Sequence, residues 1–427
     1  MLALTTSPSQ IVCMGRKLLD KFLERGVRKG VLEVARPDGS LTRFGTPEPG
    51  FPEVRIRFQD AATERRILAD PRLGAGEAFM DGGLVIEHGD VMEFIQLLRA
   101  NKPWDHGGPP RPASNLKAAG RRLVTLIDGI NRAARARRNV SHHYDIGNAL
   151  YRMFLDTEHM QYSCAYWPGP AMTLEQAQTA KLTHIAAKLA LSPGQHVLDI
   201  GCGWGGMAIY LAKHVGVTVH GITLSSEQLA LAAERAEAAG VSAKVSFELV
   251  DYRDLAARGA SYDRIVSVGM FEHVGRAQFG DYFRACAQML GREGVMLLHT
   301  IGRMSGPGST DAFTRKHIFP GGYIPALSET LAASEKVRLM TTDVENLRLH
   351  YALTLREWYR RCTAHKDEIV ALYDERFYRM WTFYLAGATA AFESGSMCNF
   401  QIQFARNRRT LPITRDYMAE AERALLR

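Results

Sequence analysis

The stretch Val197-Leu-Asp-Ile-Gly-Cys-Gly-Trp-Gly-Gly206 constrains this chain more than any other. An apolar run of strand length enters closely spaced glycines, and a helical pattern follows from Gly205 to His214. Glycine lets backbone approach a ligand closely, and a helix N-terminus favours negative charge. The surrounding sequence repeats the theme. His196–Ile200, Val217–Gly221, Val245–Val250, Tyr262–Val268 and Gly294–His299 read as buried strands. Gly205–His214, Ser225–Ala239 and Phe279–Leu290 read as helices between them. Such alternation predicts an α/β fold with a parallel sheet covered on both faces. Ligands of these sheets sit beyond the carboxyl ends of the strands, where the glycines fall.

The spacing Gly201-x-Gly203-x-Gly205 differs from the G-x-G-x-x-G of dinucleotide folds. Asp199 precedes the first glycine by two residues, and the string D-I-G-C-G-x-G resembles motif I of the S-adenosylmethionine (SAM) dependent methyltransferases. In those enzymes the glycines face the amino-acid part of SAM. Many of them hold the ribose with an acid at the end of the second strand. This chain has His220-Gly-Ile-Thr-Leu-Ser-Ser-Glu-Gln228 there, with Glu227 too far into the next helix to substitute easily. Thr223 and Gln228 carry the donors and acceptors for that task.

The first 100 residues read as a small α+β domain. Ile11–Gly26 is an amphipathic helix, and Gly30–Ala35 and Ser40–Phe44 flank the turn Pro37-Asp-Gly39. Val54–Phe58 alternates as a strand, and glycine-rich Leu73–Gly89 has no assignment. Residues 101–138 read as a Pro/Gly-rich linker and a basic segment. From Asn115 to Arg138 seven cations face Asp128 alone, and Leu116, Leu123, Leu126, Ile127 and Ile130 recur near helical spacing. Two readings stay open: a helix on a membrane surface, or a helix between domains with its charges solvated. Residues 139–427 form the catalytic domain in this reading.

The formal charge of +8 suits an anionic partner without choosing one. Nucleic acid is not expected, since no base-reading module or aromatic interleaving accompanies the arginines. The six cysteines are scattered, with no zinc-type spacing, so free thiols in a reducing compartment and no metal centre are expected. Neither a signal peptide nor an apolar run of membrane-spanning length is legible. A cytoplasmic protein that visits the inner face of the membrane peripherally is the expectation if its substrate is a membrane lipid.

Several strings together resemble the cyclopropane fatty acid synthase family. They are Asn139–Asn148, Met160-Gln-Tyr-Ser-Cys-Ala-Tyr-Trp167, the glycine motif, Gly221–Ser225, Asp251-Tyr-Arg-Asp254, Met270-Phe-Glu-His-Val-Gly275, Leu297–Gly302 and Ile318-Phe-Pro-Gly-Gly322. The resemblance implies a class I SAM-dependent methyltransferase fold, Rossmann-like, with a mixed, mostly parallel sheet. It implies transfer of a methylene group from SAM to the cis double bond of an unsaturated acyl chain in a membrane phospholipid. By the same resemblance SAM is held by Tyr162, Ser163, Gly201, Gly203, Gly205, Thr223, Gln228, Tyr252 and Arg253. A bicarbonate ion lies beside the SAM methyl, against Cys164, Glu272, His299, the backbone of Ile301, and Tyr351. A homodimer is a further expectation, with the N-terminal domain as its contact or as a lipid-binding unit.

The chemistry suits those residue types. An alkene is a weak nucleophile, and methylation of one carbon leaves a cation on its neighbour. Ring closure then removes a proton from the new methyl group. A bound base that can leave avoids alkylation of a protein carboxylate, and Glu272 and His299 would orient it. Aromatic faces can stabilise the cation. Ala388 stands where some relatives carry a cysteine, so covalent cysteine catalysis is not expected. His142, His143 and His273 are read as structural. Two alternatives remain: a methyl- or methylene-branched product from the same site, and a catalytically inactive lipid-surface protein.

Overall fold

In the computed structural model, residues 8–107 and 147–426 are described, and side chains from residue 16 onward. The basic segment 115–138, and His142 and His143, lie outside the described residues. Two compact units emerge, and neither is continuous in the chain. The first takes the described residues before 108 together with Asp311–Ile318 and Leu355–Ser396. The second takes the described residues of 147–310, Phe319–Thr354, and 397–426.

The first unit contains a four-stranded sheet of β1 (Val31–Ala35), β2 (Leu41–Phe44), β3 (Glu53–Phe58) and β4 (Leu84–His88), in the order β2-β1-β3-β4. β3 shows why it is a strand: Val54, Ile56 and Phe58 are buried while Glu53 and Arg55 are exposed. The glycine-rich stretch left unassigned in the sequence is the helix Pro71–Met80 followed by β4. Asp70 caps that helix, accepting from the amides of Arg72 and Leu73, and Pro71 fits its first turn. Its glycines are there for proximity. A Cβ on Gly74 would lie 2.4 Å from the Arg66 carbonyl, and one on Gly76 would lie 2.5 Å from the Phe313 ring. Packing has overridden the low helix propensity of glycine.

The second unit is built on a seven-stranded sheet: β5 (His196–Ile200), β6 (Thr218–Thr223), β7 (Val245–Leu249), β8 (Tyr262–Val268), β9 (Leu290–Arg303), β10 (Met340–Asn346) and β11 (Met397–Ala405). Their order is β10-β11-β9-β8-β5-β6-β7. β5 to β9 pair in parallel, and β11 runs antiparallel between β9 and β10. The sheet is mixed and mostly parallel, as the resemblance implied. Burial on both faces is explicit in β5: Val197 enters one apolar cluster with Leu211 and Val219, and Leu198 enters another with Phe283 and Met296. A strand buried on both faces reads as a continuous apolar run, which is why these strands were legible.

Candidate active site

The glycine motif turns as its sequence requires. Gly201, Gly203 and Gly205 have φ of 84°, 54° and 79°, a region L side chains rarely adopt. They sit between the end of β5 and the helix Gly206–His214. A pocket opens there, lined by Tyr162, Ser163, Gly201, Gly203, Thr223, Gln228, Tyr252 and Arg253 among others. Of the residues expected to hold SAM, only Gly205 is outside that lining. A Cβ on Gly205 would lie 2.7 Å from the Phe247 ring, so this glycine serves the packing of the helix start.

The pocket's polar groups are preset by neighbours. Thr223 Oγ1 donates to Gln228 Oε1 at 3.0 Å, which ties together the two residues expected in place of a ribose acid. Asp251 Oδ1 and Oδ2 accept from Arg253 Nε and Nη2 at 2.8 and 2.7 Å. The Arg253 guanidinium lies 5.2 Å from the centre of the Tyr252 ring. Tyr162 packs edge-on against Tyr151, with ring centres 5.2 Å apart.

Beneath Ser163 lies a group that sequence reasoning missed. Lys181, in the helix Leu174–Lys188, is fully buried, and its ammonium donates to Ser163 Oγ at 3.1 Å and to Gln161 Oε1. Burial lowers its pKa to about 8. Asp199 of the motif is buried, with Oδ2 lacking a hydrogen-bond partner among the described residues, and burial pushes its pKa up to about 7. His273, read as structural, also lines the pocket, and burial lowers its pKa to about 4.

A second group of polar side chains is set by β9 and β11. Glu272 sits in the single turn Phe271–His273, whose Phe271 is buried and stacked on Phe279 at 4.3 Å. Glu272 Oε1 accepts from the Ile301 amide at 2.6 Å. Oε2 is buried with no hydrogen-bond partner among the described residues, and burial raises the carboxyl pKa to about 7. Two residues back along β9, His299 is buried between two amides. Its Nε2 lies 2.6 Å from Asn399 Nδ2, and its Nδ1 lies 3.1 Å from Gln401 Nε2. In the register of the sheet Asn399 opposes Ile301 and Gln401 opposes His299, so all four occupy one face. Burial drives the imidazole pKa well below its ordinary value, which keeps the ring neutral.

Cys164 and Tyr351 are also buried, and their backbones are brought together by Thr354. Its Oγ1 accepts from the Ala165 amide at 3.1 Å and from Trp167 Nε1 at 3.0 Å, while His350 Nδ1 accepts from the Trp167 amide at 2.8 Å. Three residues before the helix His350–Ala364, Leu347 donates its amide to the Asn399 carbonyl at 2.8 Å. The Cys164 thiol donates to the Ala165 carbonyl at 3.3 Å, and burial pushes its pKa far up, so it is no nucleophile.

The buried amides Asn399, Gln401 and Gln403 were not anticipated, although Met397-Cys-Asn-Phe-Gln-Ile-Gln-Phe-Ala405 carries them at period two within an apolar strand. That alternation is the signal that would have found them. Lys181, His184 and Lys188 likewise fall at helical three- and four-residue spacing, on one buried stripe.

Residues 131–402 match the family described as mycolic acid cyclopropane synthetase. The cyclopropane-fatty-acyl-phospholipid synthase of Escherichia coli (strain K12) is 40% identical over 382 residues, 88% of this chain and 96% of that protein. The tuberculostearic acid methyltransferase UfaA1 of Mycobacterium tuberculosis is 34% identical, covering 90% of each chain. Among solved structures, the mycolic acid cyclopropane synthase CmaA1 complexed with SAH and CTAB superposes with a TM-score of 0.59 at 31% identity, covering 63% of this chain and 98% of that one. With the strand–glycine–helix pocket at the ends of its parallel strands, and this likeness along nearly its whole length, the chain belongs to the mycolic acid cyclopropane synthetase family.

Proposed function

We propose that the chain transfers a methylene group from SAM to the cis double bond of an unsaturated acyl chain in a membrane phospholipid, forming a cyclopropane ring. The observation that carries this reading is Glu272: a buried carboxyl with Oε1 held by the Ile301 amide and Oε2 without a hydrogen-bond partner among the described residues. A carboxyl that ionises near pH 7 can accept the hydrogen of a bound base and so orient it toward a methylated alkene.

SAM, when bound, supplies an electrophilic methyl group. The pocket fits it: glycines without side chains at the turn, Gln228 and Thr223 in place of a ribose acid, and a buried cation under Ser163. Bicarbonate, when bound, supplies a base that can leave. An ion that both donates and accepts fits the unpartnered Glu272 Oε2 and the neutral His299 ring. The Ile301 amide is already committed to Glu272, so in this reading it acts by fixing the carboxylate. His299 would exchange its Asn399 contact for the ion. Tyr351 and Cys164 would complete a water-poor wall beside the cation. One alkene carbon would take the methyl of bound SAM as its S–CH3 bond breaks and S-adenosylhomocysteine leaves; the neighbouring carbon would become cationic, and loss of a proton from the new methyl to the bound base would close the ring.

No helix among the described residues is long and apolar enough to cross a membrane. Our reading is of an enzyme that works peripherally at the cytoplasmic membrane face, as a homodimer, with the N-terminal unit as a lipid or dimer contact and the basic segment 115–138 as a membrane-surface contact. The name of the 34% identical tuberculostearic acid methyltransferase favours a second reading, a methyl-branched product from the same cation. Mass spectrometry and NMR of lipids from cells expressing the chain separate the two. A gain of one CH2 with loss of alkene signals is expected; a gain of CH2 with a branched methyl signal would replace the ring by the branch, and unchanged lipids would discard both.

A further inference from the structure

Lys188 ends the helix Leu174–Lys188 and is 1% exposed. Its ammonium donates to Glu345 Oε2 and, at 2.8 Å, to Gln401 Oε1. Glu345 Oε2 also meets His184 Nε2 at 2.7 Å, and Glu422 Oε1 meets His184 Nδ1 at 3.2 Å. Burial would raise the Glu345 pKa, but the hydrogen bond from His184 and the charge of Lys188 outweigh it, and the value falls to about 2. A carboxylate therefore faces Lys188, and the lysine has only hydrogens to offer.

This settles the orientation of one amide. The Gln401 atom that faces an ammonium is its oxygen, so its NH2 faces His299 Nδ1. Nδ1 is then an acceptor, and a neutral imidazole has its one proton on the other nitrogen. At Nε2, 2.6 Å from Asn399 Nδ2, the ring has a hydrogen to give. A neutral ring cannot accept at both nitrogens, and an amide exchanges its oxygen and nitrogen by a half-turn, so Asn399 would present its oxygen to Nε2 in place of the Nδ2 that faces it.

We propose that Lys188 is a positioning residue which, through Gln401, holds His299 as the Nε2–H tautomer. The consequence rests on the function proposed above: an anionic base beside the reacting carbon is attracted by an N–H and repelled by a ring lone pair. Gln401 occupies Nδ1, so Nε2 is the nitrogen that can serve an anion. Neither Lys188 nor Gln401 needs to touch SAM, lipid or ion for this role, in the way that a second partner fixes the tautomer of a working histidine elsewhere.

The tautomer can be read without activity, by 13C and 15N NMR of the full chain labelled at histidine, with His299 identified by comparison with His299→Gln. The wild type is expected as Nε2–H between pH 7 and 9. In Lys188→Met the Gln401 amide is free to turn, and a mixture of both tautomers is expected. Gln401→Glu keeps the Lys188 contact but puts an acceptor opposite Nδ1, and is expected to move the proton to Nδ1. This variant keeps the test alive if Lys188→Met does not fold. A wild-type Nδ1–H signal, or an unchanged tautomer in Gln401→Glu, would overturn the proposal. Turnover gives the separate arm: kcat is expected to fall about 10-fold or more in both variants, with KM for SAM within about two-fold. A displaced tautomer with full kcat would uphold the tautomer assignment and instead remove His299 from the proposed reaction.

Discussion

At Glu272 two effects oppose each other. Burial raises the carboxyl pKa to about 7, while the Ile301 amide supports the ionised form. The folded pKa lies above the ordinary 4.5, so the fold favours the neutral acid. Its contribution to stability is full below about pH 4.5 and is lost as pH rises through about 7. Glu272→Gln keeps an oxygen for the Ile301 amide and removes the charge. Calorimetry is expected to show the variant more stable than wild type at pH 8, by up to roughly 3 kcal/mol, and no more stable at pH 4. Activity should move the other way. A carboxylate that orients a bound base must be ionised to accept its hydrogen, so wild-type kcat is expected to rise with pH through about 7, and Glu272→Gln should lose at least about 100-fold in kcat. Retention of full activity by the variant would remove Glu272 from the reaction. Stability given up at a working carboxylate is a common trade at functional sites.

Elements show how glycines of one motif divide their work. A Cβ on Gly203 meets nothing within 4 Å, whereas a Cβ on Gly205 runs into Phe247 and Ala232. Gly203→Ala is therefore expected to cost about 1 kcal/mol of backbone strain and to place a methyl group in the pocket. Titration calorimetry should record SAM affinity lowered about 10-fold or more. Gly205→Ala adds overpacking to the same strain and should cost about 2–4 kcal/mol of stability, read as a lower denaturant midpoint. If the two variants were equivalent in both measurements, the division between ligand approach and helix packing would fail. The helix Leu174–Lys188 shows a comparable division, since Lys181 meets the pocket segment through Ser163 and Lys188 meets β11 through Gln401. One buried stripe of cations thus supports two parts of the candidate site.

For the whole molecule, the candidate site lies within the second unit, whose chain segments are interrupted by pieces of the first. Ligand that binds only the folded state stabilises it by about 2.7 kcal/mol at a hundred times its dissociation constant. SAM at that level is expected to raise the Tm of the transition that carries the second unit by roughly 5–10 °C. Scanning calorimetry with and without SAM checks this, and an unmoved transition would mean that the pocket does not hold the cofactor.

Local chemistry alone determined the parallel part of the sheet and the glycine turn at the end of β5. Buried parallel strands are continuous apolar runs, and a tight turn needs glycine, so β5 to β9 and Gly201–Gly205 are written in short stretches of sequence. Cys164, Glu272, His299 and Tyr351 were legible only through resemblance, since nothing in a lone glutamate or histidine announces burial. What tertiary structure decided is the pairing. The Glu272 carboxylate is held by an amide 29 residues away, and His299 by two amides on a strand 100 residues later. The desolvation that raises one pKa and lowers the other exists only once those distant segments close over them. The glycines of Pro71–Met80 carry the same lesson: their sequence argues against a helix, and only the ring of Phe313 and the backbone of Arg66 explain why a helix is there.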